Sequence, residues 1–340
     1  MTETVGTPGL TVAVTGPTGT FGFGLIPLLE ADARIGRTIG IARRPFDPAV
    51  HDWLKMTYRQ GDVRDPAALD AAFQGADVVV HLAFLITGAA GRDATRAVNV
   101  DGTINAFRAA ADAGARRFVY ASSVAAYGFH PDNPVEIDER WPARPDPRFF
   151  YAQEKAEIER LLHHEAAARP AIELYALRPS IVLGPHAVGA KDVVPRVLRP
   201  LLRRAADVID RLPVALPLLV PALPMQFVHE DDVGQALLQC VVAAGPAGMY
   251  NIAGDGVVTA HDVAREIGLT PLPLPVALAQ RAASILARVP RPSFVPPVTE
   301  WVEALSRPVI MDTTKAKAQL GWRPTYTGIE ALRATLRPAD

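Results

Sequence analysis

A tyrosine and a lysine stand four residues apart at Tyr151 and Lys155, at the start of a predicted helix from Tyr151 to Ala168. Residues i and i+4 share one face of a helix, so the phenol and the ammonium group are presented together. A cation within about 4 to 6 Å of a tyrosine favours the phenolate and lowers a pKa that is otherwise about 10. The pair therefore predicts acid–base chemistry in which Tyr151 exchanges the proton of an alcohol or carbonyl oxygen.

A serine hydroxyl precedes this pair in the chain. The predicted strand Phe118 to Ser122 is followed by Ser123, which lies 28 residues before Tyr151. At the end of a strand, the Ser123 hydroxyl is expected to hydrogen-bond the same substrate oxygen. A Tyr-x-x-x-Lys spacing alone also occurs by chance as a pair on a helix surface, so the interpretation depends on the elements around it.

A glycine-rich turn near the start of the chain supplies that context. The letters TGPTGTFG follow a predicted strand, Leu10 to Thr15, and open a predicted helix, Phe21 to Ala31. Glycines allow a close backbone approach, and a helix N-terminus presents N–H groups to a pyrophosphate. An ordinary glycine-rich turn is the alternative, but the position favours a dinucleotide whose nicotinamide exchanges a hydride with the substrate. The expected contacts from this turn are Gly16, Thr18, Gly19, Thr20, Phe21 and Gly22.

The residues about 20 positions beyond the last glycine discriminate NAD from NADP, because an acidic side chain there binds the ribose 2′-hydroxyl of NAD. This chain has Ala42, Arg43 and Arg44 instead. Guanidinium groups pair with a 2′-phosphate, so the sequence predicts NADP(H), with NAD(H) as the alternative. A solvated arginine pair is the other interpretation.

Asp62, after the third predicted strand, is a candidate acceptor for the adenine amino group or else a turn aspartate.

The elements that must position these side chains alternate along the first half of the chain. Short apolar runs such as Val78 to Ala83 alternate with helical patterns such as Ala94 to Ala113. This alternation predicts βαβ units that form a parallel sheet. The second half is rich in proline and less regular. A return to the sheet is predicted for Phe227 and Val228, a helix from Asp231 to Val242, and Tyr250 to Ile252.

The composition excludes several classes of function. Of 340 residues, 49% are apolar and 21% are charged, which indicates a folded globular protein. A net charge of -1 offers no basic field to a nucleic acid. The single cysteine, Cys240, cannot form an internal disulfide and predicts a reducing, cytoplasmic location. Prolines interrupt the longest uncharged stretch, Leu212 to Val228, so no membrane span is expected. The neighbouring residues His163 and His164 cannot share one face of a helix, so no metal site is expected there.

In these motifs the chain resembles the extended short-chain dehydrogenase/reductase family, which includes epimerase/dehydratase and 3β-hydroxysteroid dehydrogenase-like members. The resemblance runs through TGPTGTFG, SSVAAYG, YAQEK, LRPSIVLGP, FVHEDDV and LGWRP. It implies an α/β fold, a Rossmann-type doubly wound parallel sheet with a smaller, mostly C-terminal substrate-binding region. The expected division is a dinucleotide-binding domain at 1–184, a substrate-region insert at 185–225, a return to the sheet at 226–258 and a substrate-binding region at 259–340.

The resemblance also implies roles for individual residues. Ser123, Tyr151 and Lys155 look like the family's catalytic triad, and Lys155 is expected to bind the nicotinamide ribose as well. The further cofactor contacts that it implies are Asp62 and Val63 at the adenine, Leu82 and Ala83 along the cofactor, Asn99 in a cofactor-side helix, and Pro179 at the nicotinamide end. By the same likeness, the predicted helices Ala94 to Ala113 and Tyr151 to Ala168 pair across a homodimer.

Two departures from the family pattern bear on the substrate. Members that act on nucleotide-diphosphate sugars usually carry an arginine where this chain has Met225, and an aromatic residue or Asn where it has Pro179 and Ser180. The stretch Ile209 to Phe227 is almost wholly apolar, which suits either a hydrophobic pocket or a core-packing connection. Arginines that could hold a diphosphate from elsewhere are Arg196, Arg199, Arg203 and Arg204.

The sequence therefore predicts an NADP(H)-dependent ketone or aldehyde reductase, or alcohol dehydrogenase, that acts on an apolar small molecule. One alternative is a nucleotide-sugar epimerase or dehydratase that retains NAD. A second alternative is a non-catalytic protein that senses the cofactor, which the presence of Ser123, Tyr151 and Lys155 disfavours.

Overall fold

Strands and helices alternate along the first half of the chain in the computed structural model, which describes residues 9–86, 91–147, 149–187, 216–286 and 307–336. Within these residues the strands are β1 (Leu10–Thr15), β2 (Ile35–Ala42), β3 (Met56–Gln60), β4 (Val78–His81), β5 (Arg117–Ala121), β6 (Glu173–Pro179), β7 (Ile181–Leu183), β8 (Pro217–Val220), β9 (Pro224–Met225), β10 (Phe227–His229), β11 (Gly248–Ile252), β12 (Val258–Thr259) and β13 (Thr270–Pro273). The helices are α1 (Thr20–Ala31), α2 (Pro66–Phe73), α3 (Arg92–Arg96), α4 (Gly102–Asp112), α5 (Phe150–Ala168), α6 (Glu230–Val241), α7 (Ala260–Glu266), α8 (Val276–Leu286), α9 (Thr314–Gln319) and α10 (Gly328–Leu336).

Seven of these strands form one parallel sheet, in the order β3-β2-β1-β4-β5-β6-β11. Thr15, at the end of β1, pairs with Ile41 in β2 on one side and with His81 in β4 on the other. The strand order therefore reverses between β1 and β4, and in such sheets a ligand binds outside the carboxyl ends of the strands at this point. The sheet confirms the predicted α/β, Rossmann-type fold.

Three small sheets lie outside the central one, and they correct one expectation. Phe227 and Val228 do not return to the central sheet, because they pair with Ile181 and Val182 of β7. The edge beside β6 is already taken by β11, where the Ser180 N–H donates to the Ile252 carbonyl at 2.8 Å. Of the predicted return segments, only the one around Tyr250 joins the sheet. The other small sheets pair β12 with β9 and β13 with β8.

The predicted helix from Ala94 to Ala113 is broken into two α-helices by a π-helical turn. α3 is followed by the π-helical residues Ala97–Asp101, and α4 continues to Asp112. Gly114, with φ of 79°, follows the end of α4 in the left-handed conformation that the sequence predicts there. A π-helical turn widens the helix locally and is frequent at functional sites. This turn carries Asn99, one of the candidate site residues.

The core lies on both faces of the central sheet, since successive residues of β1 point to opposite sides. Val12 and Val14 pack with α1 and α6, whereas Ala13 packs with α2, α4 and α5. α1 and α6 touch backbone to backbone at two glycines. A Cβ on Gly24 would lie 2.3 Å from the Glu230 carbonyl oxygen, and one on Gly234 would lie 2.1 Å from the Gly24 oxygen. This contact holds the start of α6 against the helix that follows the glycine turn.

The first turn of α6 also anchors the C-terminal part of the chain. The buried carboxylate of Asp232 accepts the backbone N–H groups of Thr325 at 2.7 Å and Tyr326 at 3.1 Å. The indole N–H of Trp322 donates to the Asp232 carbonyl oxygen at 2.9 Å. α6 confirms the helix that was predicted from Asp231 to Val242 to within one residue at each end, and Asp232 joins it to the LGWRP segment. Among the helices in the described ranges, none has both the length and the apolar character that crossing a bilayer requires.

Candidate active site

The turn between β1 and α1 leaves no space for side chains at two of its glycines. Gly16 has φ of 68°, and a Cβ there would lie 3.0 Å from the Ala83 backbone. A Cβ on Gly22 would lie 2.0 Å from the Pro17 carbonyl oxygen. Gly19 is the N-cap residue of α1 and has no side chain to satisfy the first N–H groups of the helix. The turn thus keeps its backbone accessible to an anion, which fits the pyrophosphate of a dinucleotide.

The other predicted residues of this turn take different positions. Thr18 is partly buried within the turn, and Phe21, in the first turn of α1, packs at the edge of the core. The Thr20 hydroxyl donates to the His186 carbonyl oxygen at 3.0 Å. The His186 ring in turn stacks on Phe23 with ring centres 4.4 Å apart. The loop after β7 is therefore fastened to the first turn of α1.

The two predicted arginines follow the end of β2 and are exposed. The loop backbone beneath them is held, because Gln60 donates to the Arg43 carbonyl oxygen at 3.0 Å and the Tyr58 hydroxyl donates to that of Arg44. Asp62 forms an ion pair with Arg64 at 2.7 Å. Arg64, with a smaller contribution from Arg43, lowers the pKa of the Asp62 carboxyl group. A positive region therefore borders the place where an adenosine ribose is expected.

The segment after β4 is held to β1 by Thr15, a residue that sequence reasoning did not select. Its hydroxyl oxygen accepts the N–H groups of Leu82 and Ala83, both at 3.2 Å. The same hydroxyl lies 2.9 Å from Nδ1 of His81, whose Nε2 lies 3.0 Å from the Thr103 hydroxyl. Burial lowers the pKa of His81 to about 3, so its ring is neutral at physiological pH. Leu82 and Ala83 are thus placed directly beside the glycine turn.

Three more predicted cofactor contacts lie around this edge of the sheet. Val63 is buried against α4, where a Cβ on Gly102 would lie 2.6 Å from its Cγ2. Pro179 is buried at the carboxyl end of β6, opposite Ile252. Asn99 is fully buried, and its amide nitrogen donates to the Leu85 carbonyl oxygen at 3.0 Å and to Glu154 Oε2 at 2.7 Å, while its oxygen accepts the Leu85 N–H at 2.7 Å. Both N–H groups of the Asn99 amide are thus used within the protein, so a cofactor could contact this amide only by donating to its oxygen.

The structure brings the three predicted catalytic residues together at the end of β5 and the start of α5. Ser123 caps the short 3-10 turn Val124–Tyr127 by accepting the Ala125 N–H at 3.2 Å, and it hydrogen-bonds the Tyr151 hydroxyl. One turn further along α5, the buried Lys155 donates to the Ala121 carbonyl oxygen at 2.7 Å and to the Tyr120 hydroxyl at 3.3 Å. Two of its three N–H groups thus have partners in the described chain, which leaves one for a ribose hydroxyl.

Electrostatics in this site differ from the sequence prediction. Burial raises the pKa of the Tyr151 phenol to about 12, and its hydrogen bond with Ser123 only partly opposes this shift. Burial also lowers the pKa of Lys155 to about 7, against the pull of the nearby carboxylates Glu159 and Glu154. The expected lowering of the Tyr151 pKa by Lys155 is therefore not present. The ammonium group lies 5.8 Å from the centre of the Tyr151 ring and donates its hydrogen bonds elsewhere.

Aromatic rings enclose the pair. Phe84 packs edge-on against Tyr151, with ring centres 5.5 Å apart, and the centre of the Phe149 ring lies 5.8 Å from that of Tyr151. The Lys155 ammonium lies 3.7 Å from the centre of the Phe84 ring. These rings exclude water from the side of the phenol, which strengthens every charge interaction at the site.

A buried ion pair bound by Ser122, the residue before Ser123, was missed from the sequence. Arg178 donates through Nε and Nη2 to the two carboxylate oxygens of Glu159, at 2.9 and 2.6 Å. The Ser122 hydroxyl donates to the same carboxylate at 2.5 Å, and Arg178 lies over the Tyr127 ring at 4.3 Å. A lone arginine in the apolar strand LYALRP, and a glutamate four residues after Lys155, are the signals that could have identified this pair.

The described residues also form an open cavity of about 450 Å³. Its lining residues are His130, Pro131, Asn133, Ala222, Leu223, Pro224, Val276, Gln280, Arg307 and Pro308. Arg307 donates to the Phe129 carbonyl oxygen at 3.1 Å, and Phe129 packs in one cluster with Phe149 and Tyr151. The cavity therefore has an apolar wall and one guanidinium group, and Arg307 links its lining to the cluster that contains Tyr151.

Part of the predicted substrate region can be compared with the structure. Met225 is partly buried in β9, where it pairs with Val258. Leu218 and Leu219 in β8 are exposed, which does not fit a core-packing connection over that strand, whereas Leu223 and Phe227 are buried. Arg196, Arg199, Arg203 and Arg204, and residues 209–215 of the apolar stretch, lie outside the described residues. In the described part of the chain, no three His, Cys, Asp or Glu side chains come together as a metal site.

Comparison with known proteins gives matches over most of the chain. Residues 12–253 match the sequence model of a family described as the NAD dependent epimerase/dehydratase family. An uncharacterised protein of Mycobacterium tuberculosis is 27% identical over 335 residues, which cover 94% of this chain and 81% of that protein. The sterol demethylase protein B of Methylococcus capsulatus is 32% identical over 178 residues, which cover 52% of this chain and 52% of that protein.

Two solved structures share the fold across nearly their whole length. The UDP-glucose 4-epimerase of Thermotoga maritima, solved with UDP-glucose, has a TM-score of 0.70 at 18% identity, and the match covers 96% of this chain and 97% of that one. The UDP-glucose 4-epimerase of Thermus thermophilus, solved with NAD, has a TM-score of 0.66 at 23% identity with the same coverage, 96% and 97%. At these identities the likeness establishes the shared fold.

Proposed function

Because this chain belongs to the NAD-dependent epimerase/dehydratase family, we propose that it moves a hydride between a nicotinamide dinucleotide and a carbinol carbon of a nucleotide-linked sugar. The observation that carries the proposal is the convergence of Ser123, Tyr151 and Lys155. Phe84 contacts Tyr151 and Lys155, and the neighbouring Ala83 lies against Gly16 of the glycine turn. The solved epimerases with the same fold support this alternative better than the predicted reductase or alcohol dehydrogenase, which no comparison confirms.

The chain's own residues have distinct tasks in this reaction. When bound, the nicotinamide supplies the acceptor and donor of the hydride. During oxidation of the sugar, Tyr151 takes the hydroxyl proton while Ser123 holds the same oxygen, and Tyr151 returns the proton when the carbonyl is reduced. Lys155 binds a ribose hydroxyl with the N–H that its bonds to Ala121 and Tyr120 leave over. Phe84 and Phe149 keep water from the phenol.

Epimerisation fits the site better than dehydration does. Removal of water needs an acid for the leaving hydroxyl and a base for the neighbouring C–H, in addition to the tyrosine. The three residues after Ser123 are Val124, Ala125 and Ala126, which offer neither. Epimerisation needs only that a hydride leaves one face of the sugar and returns to the other. We therefore propose an epimerase.

We propose NADP(H) as the preferred cofactor because Arg43 and Arg44 stand exposed where an acidic residue would favour NAD. Replacing both with alanine is expected to weaken NADPH binding about 10- to 100-fold, since a hydrogen bond to a charged group contributes about 1.5–3 kcal/mol. Binding of NADH should change less than about 2-fold, because it lacks the 2′-phosphate. Fluorescence titration of both reduced cofactors measures the two affinities.

Arg37 provides the control for this prediction. It is an exposed arginine of β2, five residues before Ala42 and therefore near the amino-terminal end of that strand. Arg37→Ala removes the same charge, and NADPH affinity should stay within about 2-fold because the distant charge is screened. A wild-type protein that prefers NADH over NADPH would overturn the proposed cofactor.

A second candidate function is reduction of an apolar ketone with NADPH. It is favoured by Met225, which stands where sugar-nucleotide enzymes usually have an arginine, and by the apolar wall that Leu223, Pro224 and Val276 give the cavity. The partial likeness to a sterol demethylase protein supports the same class of substrate.

One experiment separates the two candidates. The purified protein is incubated with UDP-glucose and with UDP-N-acetylglucosamine, and in parallel with apolar ketones and NADPH. Formation of the C4 epimer without net change in the cofactor supports the epimerase. Oxidation of NADPH by the ketones, with no change in the sugars, supports the reductase. Inactivity in both assays, with bound cofactor present, would contradict both.

We also propose that the chain acts in the cytoplasm, as its single cysteine predicts. We further propose that it forms a homodimer through α4 and α5, as the family resemblance implies. Light scattering after size-exclusion chromatography is expected to give twice the mass of the chain. A monomeric mass at assay concentration would contradict the dimer.

A further inference from the structure

Glu154 is a buried carboxylate beside the catalytic lysine, and the proposed reaction gives it no task. The residue is 3% exposed. Its Oε2 accepts the Asn99 amide at 2.7 Å, whereas Oε1 is buried with no hydrogen-bond partner within the described residues. A buried carboxylate with so few hydrogen bonds is costly unless a nearby charge compensates it. The next residue along the chain is Lys155.

A chain of contacts leads from Glu154 to the ring that covers Lys155. Glu154 accepts one N–H of the Asn99 amide. The other N–H of that amide donates to the Leu85 carbonyl oxygen, and the amide oxygen accepts the Leu85 N–H. Leu85 is adjacent to Phe84, whose ring lies 3.7 Å from the Lys155 ammonium and edge-on to Tyr151. The carboxylate therefore orients the segment that shields the catalytic pair from water.

The charges around Lys155 come from several elements. On α5 they are Glu154 and Glu159, and Glu159 is also bound by Arg178 of β6. β4 contributes the neutral His81, and β5 contributes the Tyr120 hydroxyl. Glu154 itself is faced by Lys155 and by Arg96 of α3, and Arg96 pairs with Glu157 at 2.5 Å. Glu154 is thus the carboxylate near Lys155 whose charge no arginine in the described chain binds directly.

We propose that Glu154 is a positioning residue that keeps the Lys155 ammonium charged and holds the Phe84 segment over it. Burial alone favours a neutral amine, and the charges of Glu159 and Glu154 oppose that effect. A charged Lys155 has three N–H groups, so that one remains for a ribose hydroxyl beside the bonds to Ala121 and Tyr120, whereas a neutral amine has only two. The kinetic consequence rests on the proposed hydride transfer, whereas the charge state of Lys155 can be measured without any reaction.

The test is an NMR titration of lysine in the cofactor-free protein. The chain has five lysines, so selective ¹³Cε labelling gives few signals, and the signal lost in Lys155→Met identifies Lys155. In Glu154→Gln the amide oxygen can still accept from Asn99, but the charge is gone. The Lys155 midpoint is expected to fall by about one pH unit, the lower end of what an opposite charge within about 4–6 Å contributes.

Glu157→Gln is the matched control. Glu157 lies on the same helix but is more exposed and pairs with Arg96, so the Lys155 midpoint should not move in this variant. Glu154→Asp keeps a carboxylate at the position and should hold the midpoint closer to the wild-type value than Glu154→Gln does. Glu154→Ala removes the same charge and takes the place of the Gln variant if that variant does not fold. A wild-type Lys155 midpoint in either uncharged variant would overturn the proposal.

Kinetics give a second readout that a purely structural role would not move. If the protein transfers hydride as proposed, the alkaline limb of kcat/KM against pH should shift down in Glu154→Gln by the same amount as the Lys155 midpoint, with KM unchanged. A shifted midpoint in a protein without activity would leave this inference standing and contradict the proposed function. An active enzyme with an unshifted Lys155 midpoint would contradict this inference and leave the proposed function standing.

Discussion

Replacing Tyr151 with phenylalanine is expected to lower kcat by about 10²- to 10⁴-fold, the range that a positioned acid–base group contributes. The substitution removes the transferable proton and little else. The ring keeps its contacts with Phe84 and Phe149, and Ser123 keeps its bond from the Ala125 N–H. Dinucleotide affinity should therefore change by about 10-fold at most, because one neutral hydrogen bond, about 0.5–1.5 kcal/mol, is the most that is lost. Steady-state kinetics and cofactor titration measure the two quantities.

Tyr250→Phe makes the same chemical change away from the site. The Tyr250 hydroxyl donates to the Pro246 carbonyl oxygen. Tyr250 belongs to β11, and its ring lies in the core. Its kcat should stay within about 2-fold of wild type, since a lost neutral hydrogen bond acts on stability and not on the reaction. Substantial turnover by the Tyr151 variant would remove Tyr151 from the acid–base role and would leave the fold assignment untouched.

The second large effect is on stability. Arg178→Met is expected to lower the free energy of unfolding by about 3–5 kcal/mol, because it leaves the Glu159 carboxylate buried without its cation. Arg178 and Glu159 are among the least exposed charged residues of the site, with side chains 6% and 4% exposed. Ser122 continues to donate to Glu159 but carries no charge. Urea unfolding followed by circular dichroism measures the loss.

An exposed pair on the same helix is the comparison. Arg96 and Glu157 pair at 2.5 Å with side chains 47% and 30% exposed, and Arg96→Met should cost about 0–1 kcal/mol, as surface ion pairs do. A double variant, Arg178→Met together with Glu159→Leu, removes both buried charges. It should recover most of the lost free energy of unfolding, since no unpaired charge then remains. Similar losses in the buried and exposed variants would show that burial does not set the strength of this pair.

Local patterns predicted much of the first half of the fold. Asp65 followed by Pro66 is a sequence signature of a helix start, and in the structure the Asp65 side chain accepts the N–H groups of Ala67 and Ala68 at the start of α2. The glycine turn and the Tyr151 and Lys155 spacing were equally readable, because each depends on residues close in sequence. The family match confirms the resemblance that these motifs suggested.

Features that depend on distant pairing were not readable in the same way. Nothing near Phe227 indicates that β11 would occupy the edge of β6 and leave Phe227 to pair with β7. The bond from Asn99, in the π-helical turn, to Glu154 joins segments that are 55 residues apart. The pKa of Tyr151 followed burial, which no spacing reveals. The predicted division into four segments and the homodimer stay predictions.

The backbone contact between Gly24 and Gly234 has a consequence for how the protein can be dissected. A fragment ending at residue 184 would lack both α6 and β11, so the apolar side of α1, with Leu25 and Leu29, would face water. Such a fragment would aggregate rather than persist as an independent folding unit. A chain cut once between residues 185 and 225 should accordingly give two pieces that stay associated until they are denatured.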